Sequence, residues 1–207
     1  MDTERNAPSK LERRFYLREN VVAVARDLLG KVLCSNIDGC VAKAIITETE
    51  AYAGIKDRGS HAFGGRRTPR TEPMFAEGGI AYVYLCYGIH HLFNVVTGTE
   101  GNPLAVLIRA GLPLAGVDAI VARRDKERVD KNLLAGPGSL ARGLGIRTQQ
   151  TGTSLSGPEV WIEDHDIQIP ASAITVGPRV GIDYAGEDAE LPYRFVIAAD
   201  KLGQSRA

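Results

Sequence analysis

Cys40-Val41-Ala42-Lys43-Ala44-Ile45-Ile46-Thr47-Glu48-Thr49-Glu50-Ala51-Tyr52 contains neither glycine nor proline and is rich in β-branched residues. Such a stretch predicts one long strand. Strand alternation then puts Glu48, Glu50 and Tyr52 on the same face, with the two carboxylates roughly 7 Å apart along the strand. Carboxylates beside an aromatic ring, at the end of a strand with an apolar approach, are an unusual pattern. Just upstream, Lys31–Ile37 is also β-rich, and Asp38-Gly39 joins the two runs. That dipeptide signals a tight hairpin.

Outward from this hairpin the chain alternates in character. Asn20 to Leu29 carries a helical stripe of Val21, Val24, Ala25 and Leu28, with Asn20 as N-cap and Gly30 as stop. Strands are expected at Ile80–Tyr87, His90–Thr97, Leu104–Ala110, Glu159–Glu163, Ile174–Ile182 and Tyr193–Ala198. Helices are expected at Leu114–Arg124, with a charged continuation to Lys131, and at Pro137–Leu144. Strands outnumber helices and no regular βαβ alternation occurs. The expected architecture is α+β: a single domain over residues 17–203 with a curved, mostly antiparallel sheet flanked by helices, preceded by a flexible arm over 1–16.

The 207 residues, 44% hydrophobic and 24% charged, belong to an ordinary globular chain with no apolar run of membrane length. Met1–Arg14 is polar and lacks a secretory apolar segment, which predicts a cytoplasmic protein. The three cysteines have no C-x-x-C spacing, and no histidine pair has metal-ligand spacing. A reduced protein without metal or cofactor is therefore expected. Net charge is zero but unevenly spread. Lys56–Arg70 holds five basic residues and one acidic, whereas Glu159–Glu190 holds eight acidic residues with Arg179 its only Lys or Arg. One basic and one acidic face follow.

The basic segment is part of a glycine-rich loop, Gly54 to Arg70, directly after Tyr52. A candidate general base followed by a loop suited to phosphates points to water-splitting chemistry on a nucleic acid. His61 lies in this loop. Tyr82 and Tyr84 share a strand face, and Tyr87 falls beside Gly88 at a hairpin tip, where an aromatic needs something to insert into. Asn94 and Arg109 are polar residues inside apolar strands and need partners. Gly136-Pro137-Gly138-Ser139 opens a helix, a weak anion-binding signal. The pair Glu48 and Glu50 also admits a sugar-cleaving hydrolase, although acid and base across a glycosidic bond seldom come from one strand. A non-catalytic nucleic-acid-binding protein is the remaining alternative.

The ordered motifs Glu48-Thr49-Glu50-Ala51-Tyr52, Gly64-Gly65-Arg66-Arg67-Thr68-Pro69-Arg70, Tyr82-Val83-Tyr84 with Tyr87-Gly88, Phe93-Asn94, Leu107-Ile108-Arg109-Ala110, Gly136-Pro137-Gly138 and Arg179-Val180-Gly181-Ile182 resemble the alkyladenine (3-methyladenine) DNA glycosylase family. The resemblance spans roughly residues 16 to 200. It implies a monomeric, monofunctional enzyme of base excision repair acting on duplex DNA that contains alkylated or deaminated purines. By resemblance, Glu50 activates the attacking water, held by Arg109 and the backbone carbonyl of Val180. Tyr52 and His61 pack on one side of a flipped base and Tyr84 on the other. Asn94 opposes the exocyclic amine of guanine, and Tyr87 fills the gap in the duplex. Arg66, Thr68, Arg70, Gly138 and Ser139 contact the DNA backbone. The resemblance does not rank the lesions.

Overall fold

The computed structural model describes residues 7–197. In chain order the regular elements are β1 (Ser9–Lys10), α1 (Arg13–Tyr16), α2 (Val21–Asp27), β2 (Val32–Ile37), β3 (Cys40–Ala53), β4 (Ala81–Cys86), β5 (His90–Thr97), β6 (Leu104–Ala115), α3 (Val117–Arg123), α4 (Pro137–Leu144), β7 (Val160–Asp164), β8 (Ile174–Gly177) and β9 (Arg194–Ile197). The strands among the described residues form one nine-stranded sheet. Its main path is β1-β7-β2-β3-β6-β5-β4, with β8 and β9 branching from β3, and every pairing is antiparallel. This is the α+β architecture expected from the strand-rich pattern.

The local signals act as their chemistry requires. The Asn20 side chain accepts a hydrogen bond from the Ala23 N–H at 3.0 Å and caps α2. Asp38 and Gly39 adopt positive φ (56° and 73°), so the β2–β3 hairpin closes in two residues with Ile37 opposite Cys40. Cys34 pairs with Lys43, so Cys34 and Cys40 do not face each other. β3 is fourteen residues long and its pairing with β6 is irregular at three places. Bulges bend a strand, and here β3 leaves β2 at Ile45 and takes β9 as its neighbour over Glu48–Glu50.

Alternation along the central strands sorts side chains into two layers. Ala51, Val83, Phe93, Val95, Val106 and Ile108 join the main core, against which α2 and α4 pack. Tyr82, Val96 and Ala105 point to the other face and form a smaller cluster with Ala62, Met74 and Phe75 of the loop after β3. The second face carries the site described below.

Three expectations are corrected. The arm over 1–16 lies partly outside the described residues, but from Ser9 the chain is docked. β1 pairs with β7, and Leu11 and Tyr16 are buried in the core. Apolar Leu11, Phe15 and Tyr16 within a charged segment supply the surface that holds it. The helix expected from Leu114 begins at Val117, because Leu112–Ala115 extends β6 along Lys43–Ile45. The switch occurs at Gly116 (φ 65°), where a Cβ would collide with the Val41 carbonyl, so only glycine fits. The strand expected over Ile174–Ile182 ends at Gly177. Pro178 has no N–H to give to a ladder, and the chain turns away from the sheet toward β3.

Candidate active site

The registers of four adjacent strands line up one row of residues. Glu50 of β3 stands opposite Leu107 of β6, Leu107 opposite Asn94 of β5, and Asn94 opposite Tyr82 of β4. All four face away from the main core. At a strand spacing of about 4.8 Å the row is roughly 14 Å long. Residues two positions along add Tyr52, Ala105, Arg109, Leu92 and Tyr84 on the same face. Above this floor, residues 54–79 supply His61, Arg70 and Met74, and the segment after β8 supplies Val180, Gly181, Ile182 and Tyr184. Together they enclose a cavity of about 370 Å³, within the size range of small-molecule sites.

Glu50 lies immediately behind this cavity, fully buried. Three of its neighbours, Tyr52, Arg109 and Val180, line the cavity itself. The Tyr52 hydroxyl donates to Glu50 Oε2 at 2.9 Å, and the Val180 N–H donates to Oε1 at 2.8 Å. Arg109 Nε stands 3.3 Å from Oε1. Burial raises the Glu50 pKa above the usual 4.5, while Arg109, the Val180 amide and the Tyr52 hydroxyl oppose that rise. The result is a carboxylate more basic than an exposed one. Val180 thus touches Glu50 through its N–H, where the resemblance implied a role for its carbonyl.

Glu48, on the same face, is held differently. Its Oε1 accepts from Arg109 Nε at 2.8 Å and from Arg194 Nε at 2.6 Å. One guanidinium therefore bridges both carboxylates, and a second completes the charge balance. A pair tied together this way on one strand does not flank a glycosidic bond from opposite sides, which disfavours the sugar-hydrolase alternative.

His61, Tyr82 and Tyr84 form an aromatic cluster. His61 Nδ1 lies 3.0 Å from the Tyr82 hydroxyl, and the His61 and Tyr84 rings meet edge-to-face at 4.6 Å. The two rings touch, rather than standing on either side of a base-wide gap. Burial, with Arg70 and Arg66 nearby, lowers the His61 pKa to about 4, so the imidazole is neutral at neutral pH. Arg70 lies 5.0 Å over the Tyr84 ring. Asn94 Nδ2 donates to the carbonyls of Tyr82 and Leu92, which fixes the amide against the floor.

Tyr87 is 90% exposed at the β4–β5 tip, with φ of 51°. A bulky residue with positive φ is strained. A large exposed ring on a strained backbone is a local cost that packing in the free protein does not offset. Arg66, Thr68 and Arg70 line a neighbouring cavity with Arg58 and Tyr184. Gly138 and Ser139, at the start of α4, lie apart, in a different cavity beside Ile89 and His90. Among the described residues no group of three His, Cys, Asp or Glu side chains is placed to hold a metal ion, and no helix is long and apolar enough to cross a membrane.

Sequence reasoning passed over several contributors. Tyr82 was accessible to it, since it shares a strand face with Tyr84. Tyr184 and the Asp57–Arg179 pair carried no local signal. Arg179 gives Asp57 two hydrogen bonds, at 2.5 and 2.8 Å, with both side chains essentially without exposure. It also donates to the Ala51 carbonyl and lies 4.8 Å over the Tyr52 ring. Asp57 in turn accepts from the N–H groups of Ala53 and Gly59. This pair ties the loop after β3 to the segment that presents Val180.

The family model described as methylpurine-DNA glycosylase matches residues 14–201. A Chlamydia abortus protein named "Putative 3-methyladenine DNA glycosylase" is 45% identical over 188 residues, covering 90% of this chain and 97% of that protein. Proteins of the same name from Desulfitobacterium hafniense (43% over 195 residues, 91% of this chain and 95% of that one) and Bacillus cereus (45% over 188 residues, 87% and 92%) are similarly close. With a match of this extent in both profile and relatives, the chain belongs to the methylpurine-DNA glycosylase family.

Proposed function

We propose that this protein excises alkylated purines from duplex DNA by hydrolysing the N-glycosidic bond, with water activated by Glu50. The observation that carries the reading is the buried Glu50 carboxylate, held by Tyr52, Val180 and Arg109 directly behind a cavity floored by aromatic side chains. A carboxylate offers about four lone-pair directions. Tyr52 and Val180 donate into two of them, and Arg109, whose Nε–H goes to Glu48, contributes charge at 3.3 Å, which leaves lone pairs for a water molecule. In the proposed step the water oxygen bonds to C1′ as the C1′–N bond breaks, its electron pair leaves with the purine, and Glu50 takes the water proton. Alkylation at N3 or N7 makes the purine cationic, hence a good leaving group, so no second acid is needed. The neutral His61 adds no charge of its own against such a cation.

A base cannot be attacked while stacked, so the nucleotide must leave the duplex. Tyr87, exposed at the tip, is the proposed wedge. Duplexes carrying one alkylated or deaminated purine test the reading. Release of the free base, with alkali-sensitive abasic sites and no borohydride-trapped protein–DNA adduct, is the expected result. A trapped adduct would mean that an enzyme amine attacks the sugar.

Two further results are expected. Tyr87→Asn should lower kcat/KM by roughly 5–150-fold, the loss of one stacking contact of about 1–3 kcal/mol. Its melting temperature should stay the same or rise, because asparagine tolerates positive φ. A thermal melt beside a kinetic comparison separates the two effects. The pH–rate profile should have its acid limb above 4.5, since the base must be ionised and burial raises its pKa. Tyr52→Phe removes a donor that favours the ionised form, so it should move that limb to still higher pH. A limb that stays in place would take Tyr52 out of this role.

A further inference from the structure

The two carboxylates on the β3 face share one guanidinium unequally. Arg109 has no residue directly opposite it on β3, because Ile108 pairs with Thr49 and Ala110 with Glu48. A bulge re-aims a side chain, and this one sends the guanidinium between Glu48 and Glu50. The single Nε–H goes to Glu48 Oε1 at 2.8 Å, while Glu50 Oε1 stands 3.3 Å off. Glu50 thus receives the charge of Arg109 without its Nε hydrogen bond. Glu48 also accepts from Arg194 Nε at 2.6 Å. Arg194 lies across from Glu50 in the β3–β9 register, so it reaches Glu48 along the diagonal. Side-chain exposure rises outward through the cluster, from 0% at Glu50 to 12% at Glu48, 13% at Arg109 and 32% at Arg194.

We propose that Glu48 and Arg194 are positioning residues for Glu50: Glu48 holds the Arg109 Nε–H away from the general base, and Arg194 sets how strongly it does so. This role presupposes the glycosylase reading, in which Glu50 must keep a lone pair for water and stay basic enough to take its proton. Neither residue lines the cavity in front of Glu50, so both act through Arg109.

An Nε–H turned onto Glu50 would fill one of its lone pairs and favour the ionised form, making a weaker base. Glu48 prevents that turn, and its negative charge also pushes the Glu50 pKa upward. Arg194 opposes the push by neutralising Glu48. The other ionisable groups around Glu50 are Tyr52 on its own strand, Tyr84 on β4, His61 in the loop after β3 and Arg179 beyond β8. Burial keeps both tyrosines and His61 neutral at neutral pH. Arg179 is committed to Asp57. Glu48, Arg109 and Arg194 are therefore the charges that tune the base.

The test is the pH dependence of single-turnover base release. Glu48→Gln should move the acid limb to lower pH, since it removes a charge that raises the Glu50 pKa and frees the Arg109 Nε–H. Its plateau rate should fall, by less than the roughly 10²–10⁴-fold that loss of a general base costs. Arg194→Met should move the limb to higher pH, and Arg194→Lys should return it, because the ammonium keeps the charge. In the Glu48→Gln background Arg194→Met should move the limb less than it does alone, because its effect passes through Glu48. Opposite directions for the two single variants could not arise from loosened packing. Should Glu48→Gln fail to fold, the Arg194→Met and Arg194→Lys pair still decides the matter. Limbs that stay in place, with Glu50→Gln impaired, would overturn the positioning role and leave the glycosylase reading standing, whatever happens to the melting temperature. Normal turnover by Glu50→Gln would overturn both.

Discussion

Glu50→Gln is expected to lower the single-turnover rate of base release by roughly 10²–10⁴-fold, the usual contribution of a general base, while lesion-containing duplex still binds. The substitution suits the site. The Gln oxygen can accept the Val180 N–H in place of Oε1, and its amide can donate to Tyr52 once that hydroxyl turns round. What is lost is the capacity to take a proton. Stability should not fall. Burial raises the Glu50 pKa, so folding favours the protonated form. The stabilising contribution of that form is complete below the unfolded value of 4.5 and is lost as pH rises through the folded value. Above the folded value the protein carries a buried charge at some cost, and the neutral amide removes it. The melting temperature of the variant should equal or exceed that of the unaltered protein. Turnover at the normal rate would remove Glu50 from the catalytic role.

Asp57→Asn should have the largest effect on stability. It leaves the Arg179 guanidinium buried without its counter-charge, a change that typically costs about 3–5 kcal/mol. For a chain of this size that corresponds to a melting temperature lower by roughly 10 °C. Activity should fall as well, for a geometric reason. Arg179 directly precedes Val180, whose N–H holds Glu50, and its guanidinium lies over the Tyr52 ring that also binds Glu50. Loosening the pair weakens two donors to the proposed general base, so the acid limb of the pH–rate profile should move upward. The double variant Asp57→Asn/Arg179→Met tests this independently. An apolar side chain in place of the unpaired cation should recover much of the stability but not the pH profile. A single variant that melts within about 1 kcal/mol of the unaltered protein would show that the pair does not hold the site together.

The hairpin at Asp38-Gly39, the Asn20 cap and the strand His90–Thr97 were legible because each depends on residues within a few positions of one another. The same holds for the shared face of Glu48, Glu50 and Tyr52. Alternation within a strand is a local rule, and the structure follows it. Errors arose where a distant contact or a single backbone requirement decided the outcome. Leu114 and Ala115 have no strand preference strong enough to reveal that β6 continues. They are strand because Ala115 lies opposite Lys43 and Pro113 opposite Ala44, with Leu114 at the irregularity between them. Ile174–Ile182 is apolar enough for a strand throughout, yet Pro178 ends it and frees Arg179–Ile182 to reach Glu50.

From the residues alone came a strand-rich α+β chain, a carboxylate and a tyrosine on one face, an aromatic at a hairpin tip, and motifs in the order of a known family. Short-range sterics and backbone hydrogen bonding are enough for those. The folded chain decided which groups touch that carboxylate. Its donors come from positions 52 and 180, its ion-pair partner from position 109, and the clamp behind them joins positions 57 and 179. Separations of that length leave no periodicity to read. They are fixed by how β3, β6 and the segment after β8 pack against one another, and that packing sets both the basicity of Glu50 and its position behind the cavity.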